Sequence, residues 1–167
     1  MLMVVLRFIH IVLGVLWVGG IFALSVIIIP GMQQLGLPLD SLTKTLNHRK
    51  FSQIMMAFGG LTVLAGLTMM YILGHGNEAF FQSHFGRTIS LGGLSAILAL
   101  VIGGSMARPT MEKIGKLQAD LGANPPKGDD PRKAQLAGLQ KRAVFFGKLI
   151  IALLLLAVTC MAVARYI

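Results

Sequence analysis

Four long apolar runs dominate this chain of 167 residues and restrict what it can fold into. They cover residues 8–29, 51–74, 88–107 and 143–164. About 30 Å of bilayer hydrocarbon is crossed by roughly 20 apolar residues in an α-helix, because each residue adds about 1.5 Å. We therefore predict an all-α, integral membrane four-helix bundle that forms a single transmembrane domain over residues 1–167.

The composition and the first run exclude other classes of protein. Hydrophobic residues make up 55% of the chain, which is more than an ordinary soluble domain contains. The first run contains Trp17, continues to Pro30 and lacks an Ala-x-Ala-like cleavage site, so it is typical of a retained helix rather than of a signal peptide. The net charge of +9 lies in loops beside apolar helices, and no nucleic-acid partner is expected.

The distribution of Lys and Arg predicts the orientation. Eleven of the 15 basic residues lie within residues 31–50 and 108–142, whereas the opposite loops and ends hold only Arg7, Arg87 and Arg165. Basic loops stay on the cytoplasmic side of a membrane. We expect both termini outside and residues 108–142 in the cytoplasm.

Residues 108–142 have the pattern of a helical hairpin. Met111, Ile114 and Leu117 form an apolar stripe at helical spacing, which predicts that the third helix extends beyond Pro109. A second helix is expected to begin where Asp130 precedes a proline, since this pair suits an N-cap and a first turn. A shorter helix is expected before residue 50.

One ionisable side chain other than a lysine lies well inside an apolar run, and it is His10. Keeping such a group in hydrocarbon costs about 3 kcal/mol or more, so it marks a functional site by default. His10, Gly14 and Trp17 are at i, i+4 and i+7 and share one helix face. Gly14 leaves a gap between two rings, in which haem b with His10 as axial ligand could lie. The alternative is that a neighbouring helix fills this gap and His10 makes one interhelical hydrogen bond.

Other residues near the same side of the membrane offer further ligands. His75 is a candidate for cofactor or metal binding, and His84, Met69 and Met70 are candidates for metal binding together with His10. Imidazole and thioether groups suit copper, which is the alternative to haem. The lone cysteine excludes an internal disulfide.

The remaining polar residues favour binding over catalysis or transport. No carboxylate lies within any run, and no hydrolase or phosphate-loop motif is present. An enzymatic activity is not expected; if there is one, it is redox. Small residues recur at spacings typical of close helix contacts, within one bundle or in a homodimer. They are Thr62 and Gly66 in the second run and Ser95, Ala99, Gly103 and Ala107 in the third.

The first run resembles the opening helix of the copper-resistance protein D superfamily of bacterial membrane proteins, which includes small four-helix members. The resemblance rests on residues 7–22, RFIHIVLGVLWVGGIF, and extends to RKFS at 49–52 and MAVARY at 161–166. It implies a multi-pass protein of the bacterial inner membrane that handles copper or haem. A related membrane domain linked to protoporphyrinogen oxidation has a haem-associated histidine on its first helix, to which His10 corresponds.

Three hypotheses remain open from the sequence. The first is binding of haem b by His10, for electron transfer or haem handling. The second is copper binding or copper transport. The third is a non-catalytic accessory subunit of a larger membrane complex.

Overall fold

The computed structural model describes residues 1–37, 39–125 and 130–167, and all regular secondary structure in these ranges is helical. Four helical segments are long and apolar enough to cross a membrane. They are Leu2–Gln34, Phe51–Gly74, His84–Ala123 and Pro131–Tyr166. The prediction of an all-α protein with four such helices is therefore confirmed.

The helices follow one another with short connections. They are α1 (Leu2–Phe22), α2 (Ile29–Gln34), α3 (Leu39–His48), α4 (Phe51–Gly74), α5 (Glu78–Gln82), α6 (His84–Ile102), α7 (Arg108–Ala123) and α8 (Pro131–Val163). A π-helical turn, Ala23–Ile28, joins α1 to α2, and a second, Gly103–Ala107, joins α6 to α7. A short 3₁₀ turn, Ala164–Tyr166, ends the chain.

Both π-helical turns precede a proline. Pro30 and Pro109 each lie in the first turn of the helix that follows. Proline lacks an N–H and its ring clashes with the carbonyl four residues earlier, and a π-helical turn accommodates such a break without ending the helix. The first spanning helix therefore continues past Pro30 to Gln34, although the sequence predicts that it ends at Pro30. The third spanning helix continues beyond Pro109, as predicted.

The spanning helices pack as two antiparallel pairs. α1 lies against α4, and α6 lies against α8. Trp17, Met55, Ala99, Ile150 and Leu154 form the core that joins the two pairs. α5 and both termini lie at one end of the bundle, because α5 follows α4, α1 begins beside the end of α4, and the 3₁₀ turn contacts α6. α3 and α7 contact each other at the opposite end, which we call the basic end.

α7 packs against α8, and we call these two packed segments the hairpin. The Asp130 carboxylate accepts a 2.9 Å hydrogen bond from the backbone N–H of Arg132, which caps α8. The Arg132 guanidinium also bonds to this carboxylate and to Asp120 of α7 at 2.8 Å. These hydrogen bonds from the Arg132 side chain, and then from its backbone, hold the pKa of Asp130 below its ordinary value of 3.8. Arg132 thus links the two arms.

We expect Arg132→Gln to loosen this hairpin and leave the spanning helices intact. Because the pKa of folded Asp130 is lowered, its pairing stabilises the hairpin fully above pH 3.8 and is lost as the pH falls through the lowered pKa. Hydrogen exchange of residues 116–123 measures the effect. We expect lower protection factors, relative to the intrinsic exchange rate at each pH, in the variant at pH 7 and in the wild type only under acid. Equal protection of both proteins at pH 7 would contradict the linking role.

Candidate functional site

The face of α1 that carries His10, Gly14 and Trp17 packs directly on α4. Gly66 lies beneath the His10 ring, since a Cβ atom there would be 2.9 Å from Cε1. Gly59 lies beneath the indole, because a Cβ at Gly59 would be 2.6 Å from Cε2 of Trp17. The absence of side chains at these two glycines lets both rings approach the α4 backbone.

A single hydrogen bond fixes the His10 ring against α4. Its Nδ1 lies 2.8 Å from the backbone carbonyl oxygen of Thr62. A carbonyl oxygen accepts only, so Nδ1 carries the proton and donates it. In the neutral ring, Nε2 then has a free lone pair. The ring is half-buried, and Nε2 has no hydrogen-bond partner among the described residues.

The gap expected beside Gly14 is filled by Thr62. A Cβ at Gly14 would lie 3.4 Å from the Thr62 methyl group, so α4 occupies the space between the two rings. This is the arrangement of the alternative in which a neighbouring helix enters. A flat cofactor bound by His10 therefore has room only outside the contact between α1 and α4.

Trp17 belongs to the core rather than to an open site. Only 4% of its surface is exposed, and it packs with Met55, Ala99 and Leu154. Its ring joins the two helix pairs. The structure gives it a place in packing, whereas the sequence placed it beside a cofactor.

Thr62 is the site residue whose role the sequence did not reveal. Its spacing with Gly66 predicts a close helix contact, but not that this contact is with His10. Its side chain is 6% exposed, and its Oγ1 is the one buried side-chain polar atom without a hydrogen-bond partner in the part of the chain that is described. By contrast, the Thr68 hydroxyl donates to the Leu64 carbonyl at 2.8 Å, a common arrangement in helices.

We expect Thr62→Val to stabilise the protein by about 1 to 3 kcal/mol, the usual cost of an unsatisfied buried polar group. The backbone carbonyl that holds His10 remains. Because Trp17 is the only tryptophan, its fluorescence during unfolding in dodecyl sulfate measures the contact between α1 and α4. Thr68→Val is the control and should give no gain, since its hydroxyl is already bonded. A loss of stability in Thr62→Val would instead indicate a bonded hydroxyl.

The other predicted ligands lie at the end of the bundle that holds α5. His75 follows α4 and is exposed, with its ring in an edge contact at 5.0 Å from the Tyr71 ring centre. His84 is exposed at the start of α6, and Met69 and Met70 are half-buried on α4. Within residues 1–37, 39–125 and 130–167, no three His, Cys, Asp or Glu side chains converge as a metal site requires. The structure does not join His10, His75 and His84 into one such group.

No model of a protein family, no curated protein and no solved structure matches this chain significantly. What the chain does must therefore be inferred from its own residues. Among the predicted ligands, His10 has the best defined surroundings.

Proposed function

We propose that this protein binds haem b through Nε2 of His10 and serves in electron transfer or haem handling. The proposal is carried by one observation, the 2.8 Å hydrogen bond from Nδ1 to the Thr62 carbonyl. A histidine that ligates a metal usually donates its other N–H to a carbonyl or carboxylate, which fixes the tautomer and the ring orientation. His10 has this arrangement inside an apolar helix.

The residues around His10 suit an amphiphilic ring. Ile11, which directly follows His10, is exposed and apolar. Arg7 lies one turn from His10, is exposed and has no ion pair among the described residues, so it is available to anionic propionates. Bound haem supplies one-electron redox chemistry, which the axial ligand and its hydrogen bond tune. His10 would hold the haem iron, and the Thr62 carbonyl would orient the His10 ring.

We further propose a place in the cell. The resemblance of residues 7–22 supports a small member of the copper-resistance protein D superfamily in the bacterial inner membrane. The described parts of residues 31–50 and 108–142, which hold most of the Lys and Arg, belong to the basic end. The preference of basic segments for the cytoplasm favours both termini outside and the hairpin of α7 and α8 inside.

An absorbance spectrum of protein purified from membranes tests the proposal. We expect a Soret band and, after addition of dithionite, the sharp visible bands of reduced haem b. Protein purified without these bands should acquire them when haem is added. No Soret band under either condition would contradict haem binding. Bound copper without haem would favour the copper alternative, and purification only within a larger complex, without cofactor, would favour the accessory subunit.

A further inference from the structure

A groove of about 710 Å³ lies between α7 and α8 at the basic end. Three cationic side chains line it, Lys113 and Lys116 from α7 and Arg142 from α8. All three are exposed. The groove involves none of the residues around His10, so it is independent of the proposed haem site.

The charge of these three side chains is not compensated within the described residues. The carboxylates described nearby have other partners, because Glu112 pairs with Arg108 at 3.0 Å and Asp120, at the groove, pairs with Arg132. None of the three groove cations has an ion pair in the ranges described. The groove is therefore suited to an anion that carries more than one acceptor oxygen.

The groove also has an apolar part. Leu117 and Leu139 line it and are each half-buried. Gly138 also lines the groove, and a Cβ at this position would meet nothing within 4 Å. Cationic and apolar side chains therefore line the groove together.

The inner end of the groove lies next to the lipid headgroups. Arg142 directly precedes the apolar run of α8, whereas Lys113 and Lys116 lie six and nine residues, or about 9 and 14 Å, beyond the end of the third apolar run. Each headgroup layer of a bilayer is about 5 to 8 Å thick. When α6 and α8 cross the membrane, Arg142 therefore lies at the headgroup layer of one leaflet. The two lysines lie just beyond this layer, and their long side chains extend back toward the phosphates.

We propose that this groove binds the phosphate headgroup of an anionic phospholipid. Lys113, Lys116 and Arg142 contact the phosphate oxygens, and the acyl chains extend past Arg142 toward the membrane. Basic pockets between helices at a membrane surface bind lipid headgroups in this way. A zwitterionic lipid binds less well, because its own ammonium group opposes the three cations.

Native mass spectrometry of the protein released from nanodiscs tests this proposal. The nanodiscs contain equal amounts of phosphatidylglycerol and phosphatidylcholine. We expect wild-type protein to retain phosphatidylglycerol at least about 10-fold more than phosphatidylcholine, as a site worth about 1.4 kcal/mol or more would. The variant K113Q/K116Q/R142Q should retain the two lipids equally. The control K44Q/R49Q/K141Q removes the same charge from the basic end outside the groove and should behave as wild type.

A second pair of variants keeps the charge unchanged. Gly138→Leu fills the groove, whereas Gly122→Leu places the same side chain in open space on α7. We expect loss of the lipid preference only in Gly138→Leu. Equal loss in the two glycine variants, or equal loss in the two charge variants, would overturn the proposal. Displacement of the lipid by millimolar inorganic phosphate would overturn it too, since the groove would then hold a soluble phosphate.

Discussion

His10→Ala should abolish haem binding. The substitution removes the imidazole whose Nε2 we propose as the axial ligand, and it leaves the Thr62 carbonyl in place. Loss of an outer partner of a metal ligand already weakens binding about 10- to 100-fold, so loss of the ligand itself should exceed that range. Haem content per chain, measured from the Soret band and by pyridine extraction, is the readout.

The exposed histidines provide matched controls for this experiment. His75→Ala removes an imidazole just after the end of α4. His84→Ala removes one at the start of α6. We expect both variants to keep their haem, although a changed spin state in His75→Ala would identify the second axial ligand. Unchanged haem content in His10→Ala would contradict the assignment of His10.

Gly59→Leu should destabilise the bundle by about 1 to 3 kcal/mol, the usual cost of overpacking a core. A Cβ at this position would lie 2.6 Å from Trp17 and 2.9 Å from the Leu100 side chain, so two helices must move apart. The unfolding transition in dodecyl sulfate, followed by the fluorescence of Trp17, measures the loss.

Gly60→Leu is the control for this substitution, because a Cβ at the neighbouring glycine meets nothing within 4 Å. Leucine favours helix over glycine by about 0.8 kcal/mol, so Gly60→Leu should be neutral or stabilising. If the two variants were equally stable, the close packing of Trp17 on α4 would be wrong.

The spanning helices could be predicted because they depend on composition and length. An apolar run of more than 20 residues has few structures available in a membrane, since every backbone polar group must be bonded internally. The continuation of the first helix through Pro30 could not be predicted in the same way. Proline usually ends or kinks a helix, and hydropathy does not indicate that a π-helical turn at Ala23–Ile28 accommodates Pro30.

The candidate site could be predicted only on the α1 side. Helical periodicity places His10, Gly14 and Trp17 on one face without reference to any other helix. Which helix covers that face is a tertiary property, and periodicity does not encode it. The small residues Thr62 and Gly66 indicated a close contact, but the hydrogen bond from His10 goes to a backbone carbonyl, which no residue type reveals.

The most direct measurement is the nitrogen hyperfine coupling at the haem iron in a protein that keeps only one histidine. Replacing His48, His75 and His84 by Asn leaves His10 as the sole imidazole. The protein is labelled with ¹⁵N-histidine, loaded with haem, oxidised and studied by pulsed electron paramagnetic resonance. Ligation by His10 predicts coupling of the iron to a labelled imidazole nitrogen. Haem bound without any ¹⁵N coupling would contradict it.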